Sequence, residues 1–222
     1  MAEWTPRRFR FVVFDWDGTL ADSTSIIAGA IRQACADVGE PVPDDAAARY
    51  VIGLGLADAL RHVAPALPPS RYHELTDRYR EHYLARYLEI PLFDGVRELL
   101  TELEHAGFQL GVATGKSRLG LDQAMEQQAL GRHFVATRCG DEGFPKPNPD
   151  MLLHLIDRVG VAPRETLMIG DTTHDIELAH GAGAGCVAVA YGAHERASLS
   201  RLGPLATVDS VGELRRWLHA NA

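Results

Sequence analysis

Short apolar runs and amphipathic stretches alternate along most of this chain. Residues 9–14, Gln109–Thr114, 134–137, 167–170 and 186–190 are brief runs rich in β-branched or other apolar residues, and residues 205–208 form a shorter sixth. Such runs fit strands buried on both faces. Between them the apolar positions recur at helical spacing. In residues 95–106, Val96, Leu99, Leu100 and Leu103 share one face, and similar patterns cover 119–130, 150–159, 175–184 and 211–220. Strands alternating with helices predict an α/β fold, a doubly wound parallel sheet with helices on both sides.

Residues 23–89 break this alternation. They hold no strand pattern, but helical spacing at 25–38, 56–64 and 71–88, punctuated by Pro41, Pro43, Pro65, Pro68 and Pro69. The organisation expected is an α/β core of residues 1–21 and 92–222, with a small all-helical unit of residues 22–91 inserted after the first strand. Tyr79, Tyr83 and Tyr87 recur every fourth residue, and their stripe is expected to form the inner packing of that unit. Around Gly53 and Gly55 two readings stand: a loop dipping toward the core, or an ordinary interhelical turn.

The acidic residues fall where these strands end. Asp15 follows the first strand, Asp171 the fourth, and Thr114 ends the second. Ligands of doubly wound sheets bind at the carboxyl ends of strands. Asp15 and Asp17, two apart in an extended segment, point the same way, and Asp171 and Asp175 add two more carboxylates. That much negative charge in one crevice calls for a cation, and Mg²⁺ suits an all-oxygen site. Lys146, in a proline-punctuated loop, can balance an aspartate and a phosphate oxygen together. Thr114, Gly115 and Lys116 offer a hydroxyl and free backbone N–H groups at a helix start, which suits an anion. A phosphoryl group neutralised in this way is open to attack by Asp15.

Four segments, DWDGT (15–19), TGK (114–116), KPNP (146–149) and GDTTHD (170–175), resemble the motifs of the haloacid dehalogenase superfamily. The helical insert resembles the cap of its phosphoglycolate-phosphatase-like branch. The resemblance implies strand order 3-2-1-4-5 and catalysis by Asp15, Asp17, Thr114 and Lys146. Asp15 is then the nucleophile that becomes an aspartyl-phosphate, and Asp17 the general acid and base. Thr114, Gly115 and Lys146 bind the phosphoryl group. Mg²⁺ sits on Asp15, Asp17 (through its carbonyl) and Asp171, with Asp175 in support. Retention of Asp17 favours hydrolysis of a phosphate ester over C–P cleavage. The implied activity is Mg²⁺-dependent hydrolysis of a small phosphate monoester, phosphoglycolate-like or a sugar phosphate. The alternatives are a β-phosphoglucomutase-like phosphosugar mutase and a non-enzymatic phosphate-binding module.

Charge and composition narrow the partners. Over 222 residues the net charge is −8, which disfavours nucleic acid, whose phosphates need Lys and Arg. No apolar stretch is long enough to span a membrane. The three cysteines are widely spaced and odd in number, reading as buried thiols in a reducing, cytoplasmic setting rather than disulfides. The partner expected is a small phosphorylated metabolite, bound by a monomer or homodimer.

Overall fold

The computed structural model describes residues 8–222. A six-stranded, all-parallel sheet runs in the order β3-β2-β1-β4-β5-β6. Its strands are β1 (Phe11–Phe14), β2 (Gln109–Thr114), β3 (Ala136–Cys139), β4 (Thr166–Gly170), β5 (Gly185–Val189) and β6 (Ala206–Val208). The order predicted for five strands is present, with the sixth added at the β5 edge. Helices α1 (Thr24–Asp37), α2 (Asp45–Tyr50), α3 (Leu56–Val63) and α4 (Tyr72–Arg86) lie between β1 and β2. The rest are α5 (Val96–His105), α6 (Arg118–Gln128), α7 (Asp150–Val159), α8 (Thr173–Gly181), α9 (Arg196–Arg201) and α10 (Val211–Asn221).

Successive strand residues face opposite sides of the sheet, which divides the core in two. Val12 and Phe14 join α5, α6 and α10, and Phe11 and Val13 join α7, α8 and α9. Helix α5 buries Val96, Leu99, Leu100 and Leu103, the stripe its sequence predicts. Two short helices, α2 and α9, were not foreseen. Each is six residues long and buries a single side chain, Ala48 or Leu199, so neither carries an apolar stripe. The third strand also starts later than predicted. Residues 131–133 make a 3₁₀ turn, and pairing with β2 begins only at Ala136.

Helices α1–α4 enclose a separate apolar cluster around Ile31, Cys35, Val51, Leu60 and Leu75. The chain enters and leaves this segment side by side. Ala21 bridges Leu92 in antiparallel sense, Asp22 N donates to Pro91 O at 2.9 Å, and Phe93 N donates to Leu20 O at 3.0 Å. A further tie joins the end of α2 to the core. His174 Nε2 and His194 Nε2 lie 2.9 and 3.0 Å from Tyr50 O, and the Tyr50 and His194 rings stack at 5.4 Å. Thr173 N donates to His194 Nδ1, so the His194 proton sits on Nε2, facing the carbonyl. His174 therefore both stands in the first turn of α8 and reaches the helical segment.

Leu100 and Leu75 are fully buried, one beneath the sheet and one among the inserted helices. Leu100→Ala and Leu75→Ala are each expected to lower unfolding free energy by about 2–5 kcal/mol. Urea titration should show a lower midpoint with an unchanged slope.

Candidate active site

Asp15 is set by the central strand: its N–H donates to Ile169 O at 2.9 Å, and its carboxylate is fully buried. The chain then turns tightly. Trp16 O accepts from Leu20 N and Ala21 N at 3.0 Å, and Gly18 adopts φ +81°. Gly18 is required twice over, because a Cβ there would also collide with the Asp171 carboxylate. Trp16 itself packs in the core beside the turn. Asp17 faces the same cavity as Asp15. Ser23 Oγ donates to Asp17 Oδ1 at 2.7 Å, and Lys116 Nζ lies 3.1 Å from Asp17 Oδ2.

Asp171 directly follows β4 and is fully buried. Thr19 Oγ1 donates to its Oδ1 at 2.9 Å and Ala193 N to its Oδ2 at 2.7 Å. At the start of α8, Thr172 and Asp175 cap each other: Thr172 N donates to Asp175 Oδ2 at 3.0 Å, and Asp175 N donates to Thr172 Oγ1 at 3.3 Å. The other Asp175 oxygen accepts from Lys146 Nζ at 2.6 Å. Lys146 Nζ also lies 2.9 Å from Asp15 Oδ1, as an ion pair without hydrogen-bond alignment. Both Asp15 oxygens are thus buried with no hydrogen-bond donor.

Thr114 ends β2, and its Oγ1 accepts from Lys116 N at 3.2 Å. Thr114 and Gly115 line the cavity with Asp15 and Asp17. Gly115 presses against the carbonyls of Gly53 and Leu54, so the loop of residues 51–55 does dip to the crevice. Lys116 Nζ donates to Tyr83 Oη at 2.8 Å. Tyr79, Tyr83 and Tyr87 therefore do more than pack the helical unit: all three line the cavity. Four-residue spacing put them on one helix face but left open what that face meets. Thr19, Ser23 and the amide of Ala193 are the site groups that sequence reasoning did not single out. Thr19 sits inside the first segment, whereas the Ala193 amide reaches Asp171 only through the fold.

Four buried carboxylates, Asp15, Asp17, Asp171 and Asp175, thus face two ammonium groups, Lys116 and Lys146. Burial raises the Asp15 carboxyl to about 7; Lys146 opposes this, while Asp175 and Asp17 add to it. Burial likewise raises Asp171, helped by Asp15 and Asp175. Burial works to lower Lys146, but Asp15 and Asp175 more than reverse it. Asp17 does the same for Lys116. The excess negative charge and the bare Asp15 oxygens fit a divalent cation. Among the described residues, oxygens of Asp15, Asp171 and Asp175 lie within 4.8 Å of one another. Asp175 has one oxygen on the Lys146 ammonium and the other on Thr172, and Asp171 has its oxygens on Thr19 and the Ala193 amide, whereas those of Asp15 carry no hydrogen bond.

A parallel α/β sheet with paired aspartates beyond its central strand defines a class of hydrolase. The sequence matches the haloacid dehalogenase-like hydrolase family over residues 12–189, and the chain belongs to that family. It is a hydrolase acting on phosphate esters. It is 34% identical over 94% of its length to a protein described as a probable phosphatase, IndB of Dickeya dadantii, spanning 93% of that protein. It is 33% identical to the phosphoglycolate phosphatase of Vibrio vulnificus, covering 95% of this chain and 96% of that one. It is also 33% identical over 82% of its length to the tyrosine-protein kinase PtkA of Mycobacterium tuberculosis, but spans only 62% of that protein. A hydrolase from Pseudomonas syringae shares the fold, with TM-score 0.88 at 23% identity, covering 97% of this chain and 100% of that one.

The Asp15 carboxyl stands near 3.8 when unfolded and about 7 when folded, so the folded state binds its proton more tightly. Asp15 therefore costs stability as pH rises from about 4 to 7. In EDTA, Asp15→Asn is expected to become more stable than wild type across that window, by on the order of a few kcal/mol at pH 7–8. Urea unfolding at several pH values would show this; equal stability at all of them would contradict it.

Proposed function

We propose that this protein hydrolyses a small-molecule phosphate monoester in two steps, through a phosphoryl group carried on Asp15, with Mg²⁺ as cofactor. The observation that carries this reading is the Asp15 carboxylate, buried and without a hydrogen-bond donor beside a buried ammonium. A carboxylate so placed is desolvated for attack, while Lys146 meets the charge of an incoming phosphoryl group.

In the first step Asp15 attacks phosphorus, the bond to the alcohol oxygen breaks, and Asp17 as an acid gives that oxygen a proton. In the second, Asp17 takes a proton from water, which attacks phosphorus and frees inorganic phosphate and Asp15. Ser23 and Lys116 hold the Asp17 carboxylate for both transfers. Thr114 and Gly115 receive the phosphoryl oxygens at the end of β2. Asp15, Asp171 and the Asp17 carbonyl would hold Mg²⁺, which supplies charge neutralisation at the phosphoryl oxygens. Asp175 positions Lys146. Residues 22–91 act as a cap that excludes water, with Tyr83 holding Lys116 from the cap side.

Phosphate release from an ester panel is expected to need Mg²⁺, to vanish in EDTA and to return when the ion is restored. Asp15→Asn should lose more than about a thousandfold and Asp17→Asn about a hundredfold or more. Unchanged turnover in Asp15→Asn would overturn the proposal. Tyr83→Phe, which removes the acceptor for Lys116, is expected to lower kcat about two- to tenfold. Its KM should change little, measured on the best ester.

A further inference from the structure

The cavity above Asp15 and Asp17 has a volume of about 680 Å³, within the range that encloses a drug-sized ligand. A phosphoryl group with two or three further atoms would leave most of it empty. Away from the phosphate end, its wall is apolar. Ile27 and Ile31 come from α1, Ile52 from the loop leading into α3, Leu56 from the first turn of α3, and Leu84 from α4.

Aromatic rings line the same space. Tyr79 and Tyr83 stack at 5.9 Å between centroids and 15° between planes, and Tyr87 follows at 5.8 Å. The cations of this wall are already matched: Arg61 to Asp58 at 3.0 Å, Arg80 to Asp77 at 3.7 Å, and Lys116 to Asp17 at 3.1 Å. Of these only the Lys116 pair is buried; the two arginines stand at the exposed rim, in pairs that contribute little.

We infer that the alcohol half of the substrate is a sizeable, largely apolar group with a flat, aromatic-sized portion. It lies along Tyr79 and Tyr83 of α4 while the phosphate sits at Asp15. This deepens the phosphatase reading and rests on it. It also moves the substrate away from compact esters, which would leave most of the cavity empty.

The test compares 2-phenylethyl phosphate with 2-hydroxyethyl phosphate, both monoesters of primary alcohols. The expected ratio of kcat/KM is at least about tenfold in favour of the phenyl ester, the scale apolar pockets reach. Leu84→Ser and Leu119→Ser change cavity residues that are 58% and 69% exposed, so folding is not at stake. Each should cut the ratio at least about threefold. A ratio near one, or one that neither substitution moves, overturns this inference and leaves the phosphatase reading standing. If neither ester releases phosphate, the ester panel and Asp15→Asn judge the phosphatase reading, and the Kd values of the two esters by calorimetry decide the cavity. Binding of the phenyl ester at least about tenfold tighter sustains the apolar site; equal binding overturns it.

Discussion

A lysine with no exposure to water must find its counter-charges inside the protein, and Lys146 finds two. It spans Asp15, at the end of the central strand, and Asp175, in the first turn of α8. Burying three charged groups in a dry site costs several kcal/mol per ion, which the mutual attraction offsets only when geometry is good. The surroundings supply that geometry. Asp175 is locked by its reciprocal cap with Thr172, and Asp15 by its main-chain bond to β4. What the arrangement leaves unsatisfied is Asp15 itself. Stability has been spent to hold one carboxylate dry, bare and beside a cation.

The same logic explains the crowding around it. Asp171 is tied by Thr19 and by the amide of Ala193, so its carboxylate cannot turn away from Asp15. Gly18 and Gly192 lie so close to Asp171 that neither position has room for a side chain. On the opposite side, Lys116 joins Asp17 to Tyr83 and so links the turn after β1 to the helical segment. Charge within the core and aromatic surface within the inserted helices thus meet at one ammonium.

Much of this was legible in the sequence because the sheet is buried on both faces. Its strands read as unbroken apolar runs, and a polar residue ending such a run marks the carboxyl edge. Asp15, Thr114 and Asp171 stand out on that ground. The start of β3 was misplaced because Phe134 extends the apolar run backward, although the strand pairs only from Ala136. Helices α2 and α9 are too short to display a period. The roles of Thr19, Ser23 and Ala193 depend on distances across the fold that local pattern does not encode. The tyrosines show the limit most plainly, since periodicity fixes a shared face but not its neighbour.

The chain enters the helical segment after Ala21 and leaves it at Leu92, a single bridge apart. An excursion of about seventy residues therefore begins and ends at one point on the core. Its length and sequence can change without altering the thread of the sheet or the spacing of the aspartates. Geometrically it is a cassette on a fixed socket. Lineages descended from such a chain would be free to remodel the chamber that admits a new alcohol while inheriting the phosphate chemistry unchanged.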